Sequence, residues 1–116
     1  MVWPYTISTM KQDIANYLVS EMGLSEADVP ELYESFIDSF AECVKDIRAL
    51  SSFSDFMEIR RITHTLIGFS QNVGATDLYE VSRALNTCAH AEDPAACEKA
   101  AQAIIDLYVK YLAEKG

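Results

Sequence analysis

The chain has 116 residues, with 18 acidic side chains against nine basic ones and a formal net charge of −9 at pH 7. This length predicts one domain, residues 1–116, that can bury a core without cross-links. The acidic excess argues against nucleic acid, whose binding depends on clustered Lys and Arg. No apolar run approaches the ~20 residues of a membrane span, and the first residues do not resemble a signal peptide. We therefore expect a cytoplasmic protein with protein partners and no membrane contact.

The first two helical patterns cover the N-terminal part of the chain. Ser8 or Thr9 can cap a first helix that Gly23 ends. Asp28, with Glu31 three residues on, resembles a capping box that starts the second helix. The residues predicted to face the core are Met10, Ile14, Tyr17 and Leu18 in the first helix and Leu32, Phe36, Phe40, Cys43, Ile47 and Leu50 in the second.

The third helical pattern carries the most informative residue, His64. Asp55 and Glu58 repeat the start signal, and Gly74 follows the last helical position. At ~100° per residue, the apolar stripe of this helix lies opposite to His64, which predicts an exposed imidazole. The stripe consists of Ile59, Ile62, Leu66, Ser70 and Val73.

Two more helices complete the predicted fold. Thr76 can cap the fourth, and Asp93-Pro94 opens the fifth, because proline suits the first helical position. Short connections favour antiparallel neighbours. The expected fold class is all-α, an antiparallel up-down-up-down four-helix bundle with the shorter N-terminal helix capping one end. The predicted inward residues are Leu78, Val81, Leu85 and Cys88 in the fourth helix and Cys97, Ala101, Ile104, Tyr108 and Leu112 in the fifth.

The surroundings of His64 on its own helix suggest a site. Its surface neighbours three and four residues away are Arg60, Arg61, Ile67 and Gly68, with Gln71 one turn further on. Glycine inside a helix costs about 1 kcal/mol relative to alanine, so Gly68 needs a reason. Either another surface approaches the imidazole there, or a neighbouring helix packs closely. A neutral imidazole has a nucleophilic nitrogen and can attack an acyl phosphate.

Eight positions between residues 63 and 78 form a motif, namely Thr63, His64, Leu66, Gly68, Ser70, Val73, Gly74 and Leu78. In this register the segment resembles the phosphorylation motif of the histidine-containing phosphotransfer (HPt) proteins of multistep two-component phosphorelays. It departs from that motif at Ile67, where the family has a lysine thought to steady the phosphoryl group. Arg60 or Arg61, one turn away, are candidates to replace that lysine.

The resemblance implies a stoichiometric phosphoryl carrier and not a turnover enzyme. His64 would carry the phosphoryl group between the receiver domains of hybrid histidine kinases and response regulators, which supply the aspartate and the metal. No cofactor is implied, and a monomer is expected. The alternative is a receiver-binding adaptor with the same bundle that does not transfer, because Ile67 replaces the lysine. Arg60, Arg61, Ile67, Gly68 and Gln71 are the predicted phosphoryl- or partner-binding residues.

Other side chains leave alternatives open around the site. Ile67 and Phe69, with parts of Tyr79 and the first helix, could form an apolar patch around His64, or Phe69 could pack at the edge of the bundle. His90, the only other histidine, is interpreted as a solvated residue at a helix end.

The three cysteines are Cys43, Cys88 and Cys97. They are odd in number and occupy apolar positions, so we expect reduced core residues. Their spacing around His90 matches no usual zinc pattern. A metal-binding bundle would present an inward Glu-x-x-His motif, which the sequence lacks, so no metal site is predicted.

Overall fold

A computed structural model describes the backbone of residues 10–115 and the side chains of residues 14–114. This part of the chain is helical without a strand, which confirms the predicted all-α bundle. The helices are α1 (Met10–Ser20), α2 (Val29–Arg48), α3 (Phe56–Val73), α4 (Thr76–His90) and α5 (Pro94–Lys115), with a 3-10 turn at Glu26–Asp28. The predicted cap at Ser8 or Thr9 and the side chain of Met10 lie outside the described residues. None of these helices combines the length and apolar character needed to cross a bilayer.

Contacts between helices give the direction of each neighbour. Asp46, near the end of α2, pairs with Arg61, near the start of α3. Phe36, nearer the start of α2, packs against Phe69, near the end of α3. The two helices are therefore antiparallel. Phe36 and Phe40 of α2 meet Tyr111 and Tyr108 of α5 in the same reversed order. A hydrogen bond from Thr63 to Asn86 joins α3 to α4. The reversed order of the first two sets of contacts makes α3 and α5 each antiparallel to α2.

An aromatic cluster fills the centre of the bundle where α2, α3 and α5 meet. The ring of Phe40 lies 5.2 Å from that of Tyr108 and 5.9 Å from that of Tyr111. Phe36 packs edge-on against Tyr111 at 5.3 Å. Such tilted and edge-to-face pairs add to the stabilisation from burial. This cluster holds α3 against α2 and fixes which face of α3 points to solvent.

In α2 and in α5, one residue predicted to face the core is exposed, and the residue next to it in the sequence is buried instead. Leu32 is 36% exposed and Leu112 is 43% exposed, so both inward predictions are wrong. Tyr33 and Tyr111 are buried instead, and the Tyr33 hydroxyl donates to the Tyr111 carbonyl at 3.2 Å. Burial, followed by the charge of Glu114, raises the pKa of Tyr33 to about 12. A tyrosine with a partner for its hydroxyl fills the core position better than the adjacent leucine.

Two of the predicted helix starts are borne out only in part. Asp28 is the cap position of α2, as predicted, but it makes no side-chain cap bond. Ser25 accepts a hydrogen bond from the Ala27 amide at 3.2 Å and starts the 3-10 turn that leads into α2. Thr76 is the first residue of α4, and Ala75 precedes it as the cap position. Boundaries shift by a residue or so wherever a short polar side chain bonds locally to the backbone of a turn.

The other two starts are confirmed. The Asp55 carboxylate accepts from the Glu58 amide at 3.3 Å and begins α3. Asp93 accepts from the Ala96 amide at 3.1 Å, directly before Pro94 at the first position of α5. In both cases the carboxylate satisfies an amide that the first helical turn leaves without a partner.

The turn between α3 and α4 lies beneath α1. Gly74 has φ +71°, the left-handed conformation that ends α3. A Cβ at this position would overlap the ring of Tyr17, so only glycine allows α1 to pack here. Ile14 and Leu18 of α1 are buried in the same core as the other helices. The first helix therefore covers the end of the bundle that holds this turn.

Candidate functional site

The buried stripe of α3 fixes the orientation of His64. Ile59 and Ile62 are each 1% exposed, and Leu66 is fully buried. Ser70 is also buried, with its hydroxyl donating to the Ile67 carbonyl at 3.2 Å. His64 is exposed on the opposite side of the helix, as the sequence pattern predicts.

His64 lies in a shallow groove between α3 and α4, which we call the His64 groove. The groove is open to solvent, and no acidic side chain is among the described residues that line it. The lining consists of Met57, Arg60, Arg61, His64 and Ile67 from α3 and Asn86 and His90 from α4. Because it contains arginine, histidine and amide groups but no carboxylate, the groove can accept an anion.

A hydrogen bond beneath the groove holds α3 against α4. The Thr63 hydroxyl is fully buried, and its single proton is shared between the Arg60 carbonyl at 2.9 Å and the Asn86 side-chain oxygen at 3.2 Å. The amide nitrogen of Asn86 has no hydrogen bond among the described residues. Asn86 is therefore held at the groove with two N–H donors available.

The two predicted cations differ in their electrostatic surroundings. Arg61 donates to both carboxylate oxygens of Glu58, at 2.7 and 2.8 Å, and to Asp46 at 3.1 Å. The bond to Glu58 is the main cause that raises the pKa of Arg61 above its ordinary value, and the same bond lowers the pKa of Glu58. The Arg60 side chain makes no ion pair or hydrogen bond with any described residue. Arg60 is thus the cation in the groove whose charge is not already offset.

Gly68 lies one turn beyond His64 on an open part of the surface. A Cβ built at this position meets no atom of the described residues within 4 Å. A closely packed neighbouring helix is therefore not the reason for this glycine. The space beside the imidazole is free for another molecule, which is the other interpretation that the sequence left open.

The predicted apolar patch around His64 holds for Ile67, which lines the groove, but not for its other members. Phe69 packs against the aromatic cluster, with its ring 5.7 Å from that of Phe36, so it belongs to the edge of the core. Tyr79 lies under the guanidinium of Arg83 at 5.7 Å from its ring centre. Neither lines the His64 groove, nor does any described residue of α1. The exposed apolar side chain at the groove is Met57, which is 84% exposed.

The remaining site predictions meet with mixed results. Ile67 is half-buried and lines the groove, whereas Gln71 is exposed one turn away and does not line it. His90 is exposed and is the last residue of α4, as predicted, yet it also lines the groove. Asn86 and His90 are four residues apart on one face of α4. This spacing could have identified a polar face of α4 from the sequence, but it does not show which residues of another helix lie opposite that face.

The cysteines and acidic side chains form no metal centre in the described part of the chain, where no group of three or more His, Cys, Asp or Glu could hold an ion. Cys43 and Cys97 are buried, Cys88 is partly buried, and all three are free thiols. Burial is the largest cause that raises the pKa of Cys43 to about 11 and the pKa of Cys97 above its ordinary value. Thiols of raised pKa carry little thiolate, so Cys43 and Cys97 are unreactive core residues.

Comparison with known families identifies the chain. The Hpt domain family matches residues 31–114, more than two thirds of the sequence. No curated protein and no solved structure matches the chain. The matched segment contains all seven residues of the His64 groove. The chain therefore belongs to the Hpt domain family, whose members act in histidine phosphotransfer within phosphorelays.

Proposed function

We propose that this protein accepts a phosphoryl group on His64 from the aspartyl phosphate of one receiver domain and passes it to the aspartate of another. The observation that carries the proposal is the position of His64, exposed in a groove. Among the described residues, this groove holds an arginine without an ion pair and no carboxylate. Receiver domains of hybrid histidine kinases and of response regulators are the partners. The protein is phosphorylated by one receiver and returned to its unphosphorylated form by the other, so it acts as a stoichiometric carrier and does not turn over a substrate of its own.

The transfer step needs little from this chain beyond position and charge. One ring nitrogen of His64 uses its lone pair to form a bond to phosphorus, and the P–O bond to the donor aspartate breaks with its electrons on the carboxylate. The ring gains a positive charge as this bond forms, and release of the proton on the other ring nitrogen to water removes that charge. Phosphoryl transfer is promoted mainly by in-line positioning and by neutralisation of the phosphoryl oxygens. Arg60 and the Asn86 amide supply contacts from this side, and the receiver supplies its metal.

The surface around His64 suits a protein partner. Met57 and Ile67 offer apolar area on either side of the imidazole along α3, and exposed apolar side chains at such a site mark partner contacts. The open surface at Gly68 lets the receiver approach closely. Since Ile14 and Leu18 of α1 join the same core as the matched segment, we also propose residues 1–116 as one domain that acts as a monomer.

The test is incubation of the purified protein with a panel of phosphorylated receiver domains. We expect at least one receiver to lose its label to this chain within minutes, with the label acid-labile and base-stable as a phosphohistidine is. A panel in which several receivers bind the protein but none transfers would contradict the proposal.

The alternative function is a receiver-binding adaptor that does not transfer. Ile67, in the place of the lysine that the family resemblance implies, is the observation that favours it. His64→Ala distinguishes the two functions, because it leaves receiver binding intact in both but stops signal passage only in a carrier. Binding is measured by calorimetry, and passage by label reaching a second receiver.

Arg60 is predicted to perform the role of the missing lysine. We expect Arg60→Ala to slow phosphorylation of His64 about tenfold, since a charge-assisted contact to phosphate is worth roughly 1.5–3 kcal/mol. Ile67→Lys should restore the rate in that variant. Rates are followed by loss of label from a donor receiver.

The control for Arg60→Ala is Arg48→Ala, which removes an equal charge from the exposed end of α2. It should leave the rate unchanged. An equal loss in both variants would mean that net charge matters and contact does not.

Gly68 is predicted to separate stability from function. Gly68→Ala should stabilise the protein by up to about 1 kcal/mol, because alanine favours the helix and its Cβ meets no atom. The same variant should slow transfer from a receiver, and the bulkier Gly68→Gln should slow it further. Urea denaturation measures the first effect and label transfer the second. Unchanged transfer in Gly68→Gln would show that no partner approaches this surface.

A further inference from the structure

The position of His90 relative to His64 follows from the register of α3 and α4. Thr63 lies 11 residues before Gly74 and Asn86 lies 11 residues after Ala75, so their hydrogen bond marks an antiparallel hairpin about that turn. His64 adjoins Thr63, and His90 is one turn further along α4 than Asn86. His90 therefore lies level with Ile59, the residue before Arg60.

The tilt of helical side chains directs the two histidines toward each other along the helix axes. A helical side chain tilts toward the N-terminus of its own helix. Because α3 and α4 are antiparallel, His64 tilts toward the turn of Arg60, and His90 tilts toward the turn of Asn86. Both imidazoles accordingly line the same groove, although they belong to different helices.

The charged groups around His90 favour a positive charge on its ring once His64 carries a phosphoryl group. From α3 it faces Arg60, Arg61 and His64, and no described residue of α2 or α5 lines the groove. On its own C-terminal side are Glu92 and Asp93, but Asp93 caps α5. The carbonyl end of α4 also favours positive charge on its last residue. Arg60 opposes that charge in the free protein, and a phosphoryl dianion on His64 would reverse the balance.

We propose that His90 is a second phosphoryl-contacting residue of this site, whose imidazolium donates a hydrogen bond to a non-bridging oxygen of phosphorylated His64. The inference rests on the proposed function. No bond to phosphorus forms or breaks at His90; its ring donates an N–H hydrogen bond and adds a positive charge when protonated. Only the protonated ring adds a positive charge to this hydrogen bond, so the contact is stronger at low pH than at high pH. It gives the carrier a cation that Ile67 does not provide.

The test follows the lifetime of phosphorylated His64. Wild type, His90→Gln and His90→Arg are loaded with phosphoramidate, whose P–N bond breaks with release of ammonia as the new P–N bond forms, or by a receiver that transfers to His64. Phosphate release is measured at pH 6 and pH 8.5. Each variant is expressed relative to wild type at the same pH, so that the general acid lability of phosphohistidine cancels.

We expect His90→Gln to release phosphate about fivefold faster than wild type at pH 6 and at the same rate at pH 8.5. His90→Arg, which stays charged, should match wild type at pH 6 and release phosphate more slowly than it at pH 8.5. Lys99→Gln removes a cation of α5 that lies in the groove between α4 and α5, away from the His64 groove. This variant should match wild type at both pH values. Circular dichroism confirms the fold of each variant.

The outcomes separate the two proposals. If His64 is loaded and His90→Gln behaves as wild type at both pH values, or differs by the same factor at both, the role of His90 is overturned while the carrier function stands. If His64 takes label neither from phosphoramidate nor from any receiver, the carrier function fails and the inference fails with it.

Discussion

His64→Gln should abolish acid-labile, base-stable phosphoryl labelling by any receiver that labels the wild type. The loss is complete because glutamine keeps the polarity and approximate size of the side chain but has no nucleophilic ring nitrogen. The helical content should not change, since His64 is exposed and the face of α3 that packs on the bundle does not include it. Labelling is measured with a radioactive receiver, and folding by circular dichroism and thermal melting.

His90→Gln is the matched control for that experiment, because it makes the same substitution in the same groove. It should still be labelled, since His90 contacts the phosphoryl group without bonding to phosphorus. If label survived in His64→Gln and disappeared in His90→Gln, the phosphorylated residue would be His90 and not His64. The same result would contradict the interpretation of the motif around residues 63–78.

The exposure of His64 could be predicted because a single helix determines it. Periodicity places Ile59, Ile62 and Leu66 on one side of α3, and burying that side leaves the histidine on the other. The helix ends were also readable, since Asp55 and Gly74 act through contacts within a few residues. Local chemistry therefore sufficed for the orientation of the nucleophile.

The α4 side of the groove could not be predicted in the same way. Asn86 and His90 are polar residues on an exposed helix face, and only the register of α3 against α4 shows that they face His64. The same limit applies to Arg61, whose partner Asp46 lies on another helix, 15 positions away along the chain. A sequence pattern shows which cations are near on one helix, whereas tertiary contacts decide which of them is already paired.

Arg61 and Arg60 illustrate how that pairing divides the work at the site. Arg61 ties the start of α3 to the end of α2 through Asp46, and it also pairs with Glu58 on its own helix. Such exposed pairs contribute little to stability individually. The charge of Arg61 is offset before a phosphoryl group arrives. Arg60, without an ion pair among the described residues, keeps its full attraction for the incoming anion. Of these two adjacent arginines, Arg61 thus has a structural role and Arg60 an electrostatic one.

Leu66→Ala should destabilise the protein by about 2–5 kcal/mol, the range for a large-to-small change at a fully buried position. Ile67→Ala should cost well under that, because Ile67 is only half-buried and its side chain lines an open groove. The difference arises because truncation in the core leaves a cavity, whereas truncation at the groove exposes a surface that water can fill. Chemical denaturation measures both free energies of unfolding.

Met57→Ala provides the baseline for this pair, since Met57 is on the same helix and 84% exposed. It should change the free energy of unfolding by less than about 0.5 kcal/mol, as surface substitutions usually do. The expected order of destabilisation is therefore Leu66, then Ile67, then Met57. Equal losses for Leu66→Ala and Ile67→Ala would mean that both side chains are buried to the same extent and that α3 is rotated about its axis. In that case His64 would not face the groove, and a phosphoryl group could not reach it from a receiver docked there.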